Sequence, residues 1–175
     1  AERYGVRWLP TYEQTRIASY ADDWLNAYRP NLKVLGPGEH PFAVENMVRF
    51  DTMYVETGRY LRQLTRDILQ AGGKLEVRRF ATPADIGALS ETLVFNCTGL
   101  GSRELFGDTE LEPVRGQLAV LLPQPEIRYA LTGDGGYMFP RADGIVLGGS
   151  FEHGEWSTVP DGATIARILA AHQHT

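Results

Sequence analysis

A strand that ends in Thr-Gly can carry backbone N–H groups and a hydroxyl to the carboxyl edge of a sheet. Asn96-Cys97-Thr98-Gly99-Leu100-Gly101 has that form. In open α/β sheets this edge is where nucleotides bind, and a strand-to-helix turn with no ligand would use the same residues, so both readings stand. Pro113-Val114-Arg115-Gly116-Gln117 follows closely. Tyr137 lies in a Gly-Gly-Tyr context at a strand start, where its ring can pack while its hydroxyl faces a cavity. Taken alone, the residues favour a half-buried tyrosine without a ligand. Phe80 ends a strand, and its side chain reads as core packing. No His or carboxylate dyad stands out. His40 and His153, beside Pro41 and Gly154, read as loop residues, and His172-Gln173-His174 reads as a frayed helix end, not a metal site. Gly133-Asp134-Gly135-Gly136 resembles a turn more than a phosphate cradle. Cys97 is the single cysteine, which excludes an intrachain disulfide framework and a cysteine-rich metal centre.

These residues need elements to hold them. Ile17, Tyr20, Ala21, Trp24, Leu25 and Tyr28 recur at helical spacing over 14–28, and Pro30 stops the run. Residues 31–47, with Gly36-Pro37-Gly38, read as a loop. Phe50 to Val55 reads as a short strand. Thr57 then caps a helix with Leu61, Leu64, Ile68 and Leu69 on one face, closed by Gly72-Gly73. Leu75 and Val77 alternate in a strand ending near Phe80. Leu93-Val94-Phe95 is an unbroken apolar run, the pattern of a parallel strand covered on both faces. From Arg115 onward, 117–122, 129–132, 137–139 and 145–149 read as antiparallel strands broken by Pro or Gly. A last helix starts at Asp161 and buries Ile165, Ile168 and Leu169.

The 175 residues are enough for one ordinary domain with a real core. An apolar share of 43 % and a charged share of 22 % indicate a globular protein, and no apolar run is long enough to cross a bilayer. The net charge of −5 argues against a nucleic-acid partner. Nothing at the start reads as a signal peptide, so a cytoplasmic protein is expected. The sequence opens on Ala1 without Met, which suggests that the gene product starts upstream.

The stretch from Phe50 to Gln117, with Asn-Cys-Thr-Gly and Arg-Gly-Gln at this separation, resembles the D-amino-acid oxidase family of FAD-dependent enzymes. Tyr137-Met138-Phe139-Pro140, Leu147-Gly148-Gly149-Ser150-Phe151 and Gly154-Glu155-Trp156-Ser157 continue the likeness, which covers roughly residues 48–170. The resemblance implies FAD as cofactor, with Thr98 matching a flavin-contacting threonine and Phe80 a position whose backbone contacts the adenosine part. It implies that the Tyr137 hydroxyl holds the carboxylate of an amino-acid substrate. Such enzymes pass the α-hydrogen as hydride to the flavin, and oxygen leaves as hydrogen peroxide, with no acid–base residue required. A glycine or sarcosine oxidase is a close neighbour.

The sequence also departs from that pattern. No G-x-G-x-x-G follows any strand, since Gly99-Leu100-Gly101 runs into Ser-Arg-Glu. The family's dinucleotide fingerprint, substrate arginine and C-terminal flavin segment are not found. The expectation is a central fragment of an enzyme about twice as long, inactive alone, with a flavin-free, non-catalytic piece as the rival reading. Gly133 stands where mammalian members have a lid tyrosine. The expected fold is α/β. Residues 1–60 and 113–175 would form a mixed, largely antiparallel substrate domain, and 61–112 would belong to a doubly wound FAD-binding domain.

Overall fold

Glycine and proline punctuation sets the strand lengths, and the structure follows it most closely in the second half of the chain. The computed structural model describes residues 1–15 and 24–174. In chain order the elements are β1 (Val6–Gln14), β2 (Lys33–Leu35), β3 (Met47–Val55), α1 (Thr57–Gln70), α2 (Pro83–Gly87) and α3 (Gly101–Phe106). They continue with β4 (Val114–Arg115), β5 (Leu118–Leu121), β6 (Ala130–Gly133), β7 (Gly136–Arg141), β8 (Gly144–Gly148), β9 (Glu152–His153) and α4 (Gly162–Ala171). The class is mixed α/β. Seven strands form one sheet in the order β2-β3-β1-β6-β7-β8-β5, and β4 pairs with β9 in a separate ribbon.

Every junction of the large sheet is antiparallel except one. β1 meets β6 in parallel, through Thr11↔Ala130, Tyr12↔Leu131 and Glu13↔Thr132. Pro10, which has no N–H to give, lies just outside that ladder. The sequence Gly133-Asp134-Gly135-Gly136 is the two-residue turn of the β6–β7 hairpin, with Gly133 opposite Gly136. The positive φ of this hairpin falls just after the turn, on Gly136 at 117°, a conformation that favours glycine. β8 is buried along its whole length between β7 and β5, which explains its run of apolar residues and glycine. Its period of two sends Ile145 and Leu147 to one face, where they pack with Ala119 and Ile168. Ile165 and Leu169 of α4 join this cluster. The helix starts where expected, with the Asp161 carboxylate accepting the Thr164 N–H at 2.8 Å.

Several expectations need correction. β1 and β2 were not legible, and the second falls in a stretch read as loop. Of the helix expected over 14–28, Ile17, Tyr20 and Ala21 lie outside the described residues. Gln14 ends β1, and Trp24–Tyr28 is a short 3-10 helix. β3 starts three residues before Phe50. Glu56, not Thr57, holds the N-cap of α1. Gly72-Gly73 does close α1, with Gly73 N–H on Ile68 O at 2.9 Å and Gly72 N–H on Leu69 O at 3.1 Å.

The face of α1 that docks is polar. Gln63 is its buried residue, and Asp67 takes hydrogen bonds from Gln63, Tyr4 and Arg3. Leu61, Ile68 and Leu69 point away and are exposed. Leu75–Phe80 and Leu93–Phe95 are not strands but segments without regular structure and without ladder partners among the described residues. Val77 is fully exposed and Phe95 is 80 % exposed. A strand exists only where a second strand takes its backbone groups, and here none is present.

Candidate functional site

Tyr137 is placed by β7. Its direct neighbours across the sheet are Thr132 on β6 and Gly148 on β8. The Tyr137 ring fills the space that a side chain at 148 would need: a Cβ on Gly148 would fall 2.0 Å from Tyr137 Cζ. One on Gly149 would stand 3.1 Å from the Tyr137 hydroxyl and 3.2 Å from the Gln117 carbonyl oxygen. Two glycines therefore form a flat floor beneath the phenol, and no other residue type fits at 148.

The ring lies on the sheet face opposite α4, at one end of a row. Phe139 is 5.1 Å from Tyr137 between ring centroids, and Tyr54 is 6.1 Å from Phe139. The Arg7 guanidinium lies 5.3 Å from the Tyr54 centroid and donates to Pro140 O at 2.6 Å. Burial pushes the Tyr54 phenol above its ordinary range. Behind Tyr137, the His172 ring nitrogens lie 3.2 Å from Tyr137 O and 2.8 Å from Ile168 O. His172 is therefore the engaged C-cap of α4, not a frayed end. Among the described residues no group of His, Cys, Asp and Glu could hold a metal ion.

Thr98 sits elsewhere, in an exposed turn that leads into α3. Its hydroxyl lies 2.8 Å from Asn96 Oδ1 and 2.6 Å from Ser102 Oγ, and Asn96 Nδ2 donates to Ser102 Oγ at 3.1 Å. The three side chains close a ring of hydrogen bonds in which each hydroxyl hydrogen is used once. Thr98 Oγ1 keeps a lone pair, so toward a ligand it is an acceptor. Gly99, at φ 55°, has open space around it. Phe80 is half-buried with the Arg78 guanidinium 5.3 Å from its ring centroid, and its backbone makes no hydrogen bond among the described residues. Among the described residues Thr98, Phe80 and Tyr137 have different hydrogen-bond and ring partners: Asn96 and Ser102 for Thr98, Arg78 for Phe80, Phe139 and His172 for Tyr137.

One cluster escaped sequence reading. The Glu152 carboxylate, on β9, accepts from Arg115 Nε at 2.8 Å and Gln117 Nε2 at 2.9 Å, and also from Arg115 Nη2 and the Ser150 hydroxyl. The Ser150, Gln117 and Arg115 donors lower its pKa to about 2, in that order of effect. Gln117 Oε1 takes the Asp161 N–H at 2.7 Å, and Arg115 Nη1 reaches Ser157 O at 3.1 Å. Beside this hub, a cavity of about 330 Å³ opens between Gly116–Leu118 and Ser157–Pro160. Arg-Gly-Gln was visible as a motif, but its acidic partner lies 37 residues from Arg115, where no local pattern reveals it.

A family model described as FAD dependent oxidoreductase matches residues 2–175. The chain is 32 % identical over 171 residues to a D-amino-acid oxidase of Rubrobacter xylanophilus, covering 95 % of this chain and 52 % of that protein. It is 34 % identical over 171 residues to a D-amino-acid oxidase of Streptomyces coelicolor, covering 94 % and 51 %. A D-aspartate oxidase of Homo sapiens is 33 % identical over 123 residues, 69 % of this chain and 36 % of that protein. The chain thus spans about half the length of the first two relatives. With the match running across nearly every residue, the chain belongs to the FAD-dependent oxidoreductase family and is similar, within it, to D-amino-acid oxidases.

Proposed function

We propose that this chain supplies the substrate-holding sheet and part of the flavin surface of an enzyme that oxidises a D-amino acid to its imino acid, oxygen leaving as hydrogen peroxide. The observation that carries the reading is the seating of Tyr137. Its ring is held on two glycines and against Phe139, so its hydroxyl stands at a fixed place on the face away from α4. A fixed phenol donates one charge-assisted hydrogen bond to a carboxylate. Holding a substrate in one orientation can lower a barrier by several kcal/mol.

Thr98 and Phe80 fit a place beside FAD. Thr98 offers an exposed acceptor that a cofactor hydroxyl or amine can meet, and Phe80 offers free backbone groups. FAD, when bound, supplies the two-electron acceptor. The residues of this chain bind and orient. They supply no acid or base, because the α-hydrogen leaves with its electron pair. Residues 1–60 and 113–175 are assigned to the substrate domain and 61–112 to the flavin domain. Support comes from the nine strands among the described residues, all of which lie outside 61–112.

The test uses the complete flavin-loaded protein, with peroxide measured for D- and L-amino acids, glycine and sarcosine. Peroxide from D-amino acids alone is expected. A flavin-loaded protein that oxidises no D-amino acid would remove the reading, and turnover of glycine or sarcosine only would change the substrate class.

A further inference from the structure

We infer that Glu152 is a positioning residue for Tyr137, acting through Ser150 and Gly149 and touching neither substrate nor cofactor. The inference rests on the substrate role proposed for Tyr137. The space a side chain at 149 would need is bordered by both the Gln117 carbonyl and the Tyr137 hydroxyl, so Gly149 brings bare backbone up to both. What fixes Gly149 is the residue after it. Ser150 Oγ accepts the Gln117 N–H at 3.0 Å and donates to Glu152, while Ser150 N–H reaches Gln117 O at 3.4 Å. Glu152 also holds the Gln117 side chain and Arg115. One carboxylate thus sets how far the backbone at 149–150 stands from Gln117, and with it where the phenol hydroxyl rests.

A glutamine at 152 has the same shape but cannot accept on both sides. Its amide would put N–H groups against either Arg115 or the Ser150–Gln117 pair, all of them donors. The glycine floor would then loosen without any atom near the substrate being changed. A purely structural Glu152, holding only the β4–β9 ribbon together through its pairing with Arg115, would move stability and leave substrate affinity alone.

The experiment measures KM, kcat, flavin content and Tm in the complete holoprotein for Glu152→Gln, Ser150→Ala, Tyr137→Phe and the double variants. KM is expected to rise about 3- to 10-fold in Glu152→Gln, the size of loosening rather than deleting a bond to a charged group. kcat and flavin content should hold, and the KM effect should disappear in the Tyr137→Phe background. If Glu152→Gln fails to fold, Ser150→Ala decides by the same criteria. A fall in Tm with unchanged KM, while Tyr137→Phe does raise KM, overturns the positioning role and leaves the proposed function standing. An unchanged KM in Tyr137→Phe itself overturns both.

Discussion

At the scale of single residues, Tyr137 and Gly148 make one unit. With the substrate role proposed for Tyr137, Tyr137→Phe is expected to remove a hydrogen bond to a charged group, about 1.5–3 kcal/mol, or roughly 10- to 150-fold in affinity. KM should rise more than kcat falls, because the bond is made in ground and transition states alike. The ring stays, so Tm should barely move. Gly148→Ala tests the same seat from below. Its Cβ would fall 2.0 Å from Tyr137 Cζ, so the ring must leave. Overpacking of this kind costs about 1–3 kcal/mol or more. Both a lower Tm and a KM at least as high as that of Tyr137→Phe are expected from thermal melts and steady-state kinetics. A variant with normal values of both would show that the ring does not occupy that space. The roles proposed for Tyr137, Thr98 and Phe80 rest on whole-motif likeness. The bare residues favoured an ordinary half-buried tyrosine, because a hydroxyl has no signature in sequence that tells which cavity it faces.

At the scale of elements, legibility followed locality. β5 to β8 and α4 were readable because their signals are short-range: alternation, a two-residue Asp-Gly turn, an Asp N-cap. Leu75–Val77 and Leu93–Phe95 carry equally good strand patterns yet form none, since pairing depends on a neighbour that the pattern does not contain. α1 shows the same limit, its apolar side exposed and its polar side docked through Gln63 and Asp67. The hub that joins β4, β5, β9 and the start of α4 was invisible for the related reason that its members are far apart in sequence. It gives a pH prediction. Ser150, Gln117 and Arg115 depress Glu152 from its ordinary 4.5 to about 2. The hydrogen bonds of Thr164 lower Asp161 as well. A depressed carboxylate contributes stability that is whole above its ordinary value and disappears as the pH falls through the folded one. Stability should therefore decline between about pH 4.5 and about pH 2, as followed by tryptophan fluorescence. Glu152→Gln should flatten that slope. A slope identical in the two proteins would mean that the carboxylate is not held as described.

At the scale of the whole molecule, two regions differ in kind. The seven-stranded sheet with α4 has a core, whereas residues 75–106 expose Leu75, Val77, Leu93, Val94 and Phe95. The isolated 175-residue chain is expected to bind FAD weakly, because Thr98 and the Phe80 backbone give few contacts and no glycine-rich phosphate turn is present. A submicromolar dissociation constant, read from the quenching of free FAD fluorescence, would show that other segments hold the cofactor. The isolated chain should also bind a hydrophobic dye, and the complete protein should bind much less. The single parallel junction of the sheet has a further consequence, for synthesis. β1 ends at Gln14, but the strand that covers its second edge, β6, begins only at Ala130. At about 5–20 residues per second, a ribosome leaves that edge bare for several seconds or more. Bare edges invite pairing with other nascent chains. Pro10 and Glu13 lie on that strand, a residue that cannot donate to a ladder and a charge. They would guard the waiting edge until its rightful partner emerges.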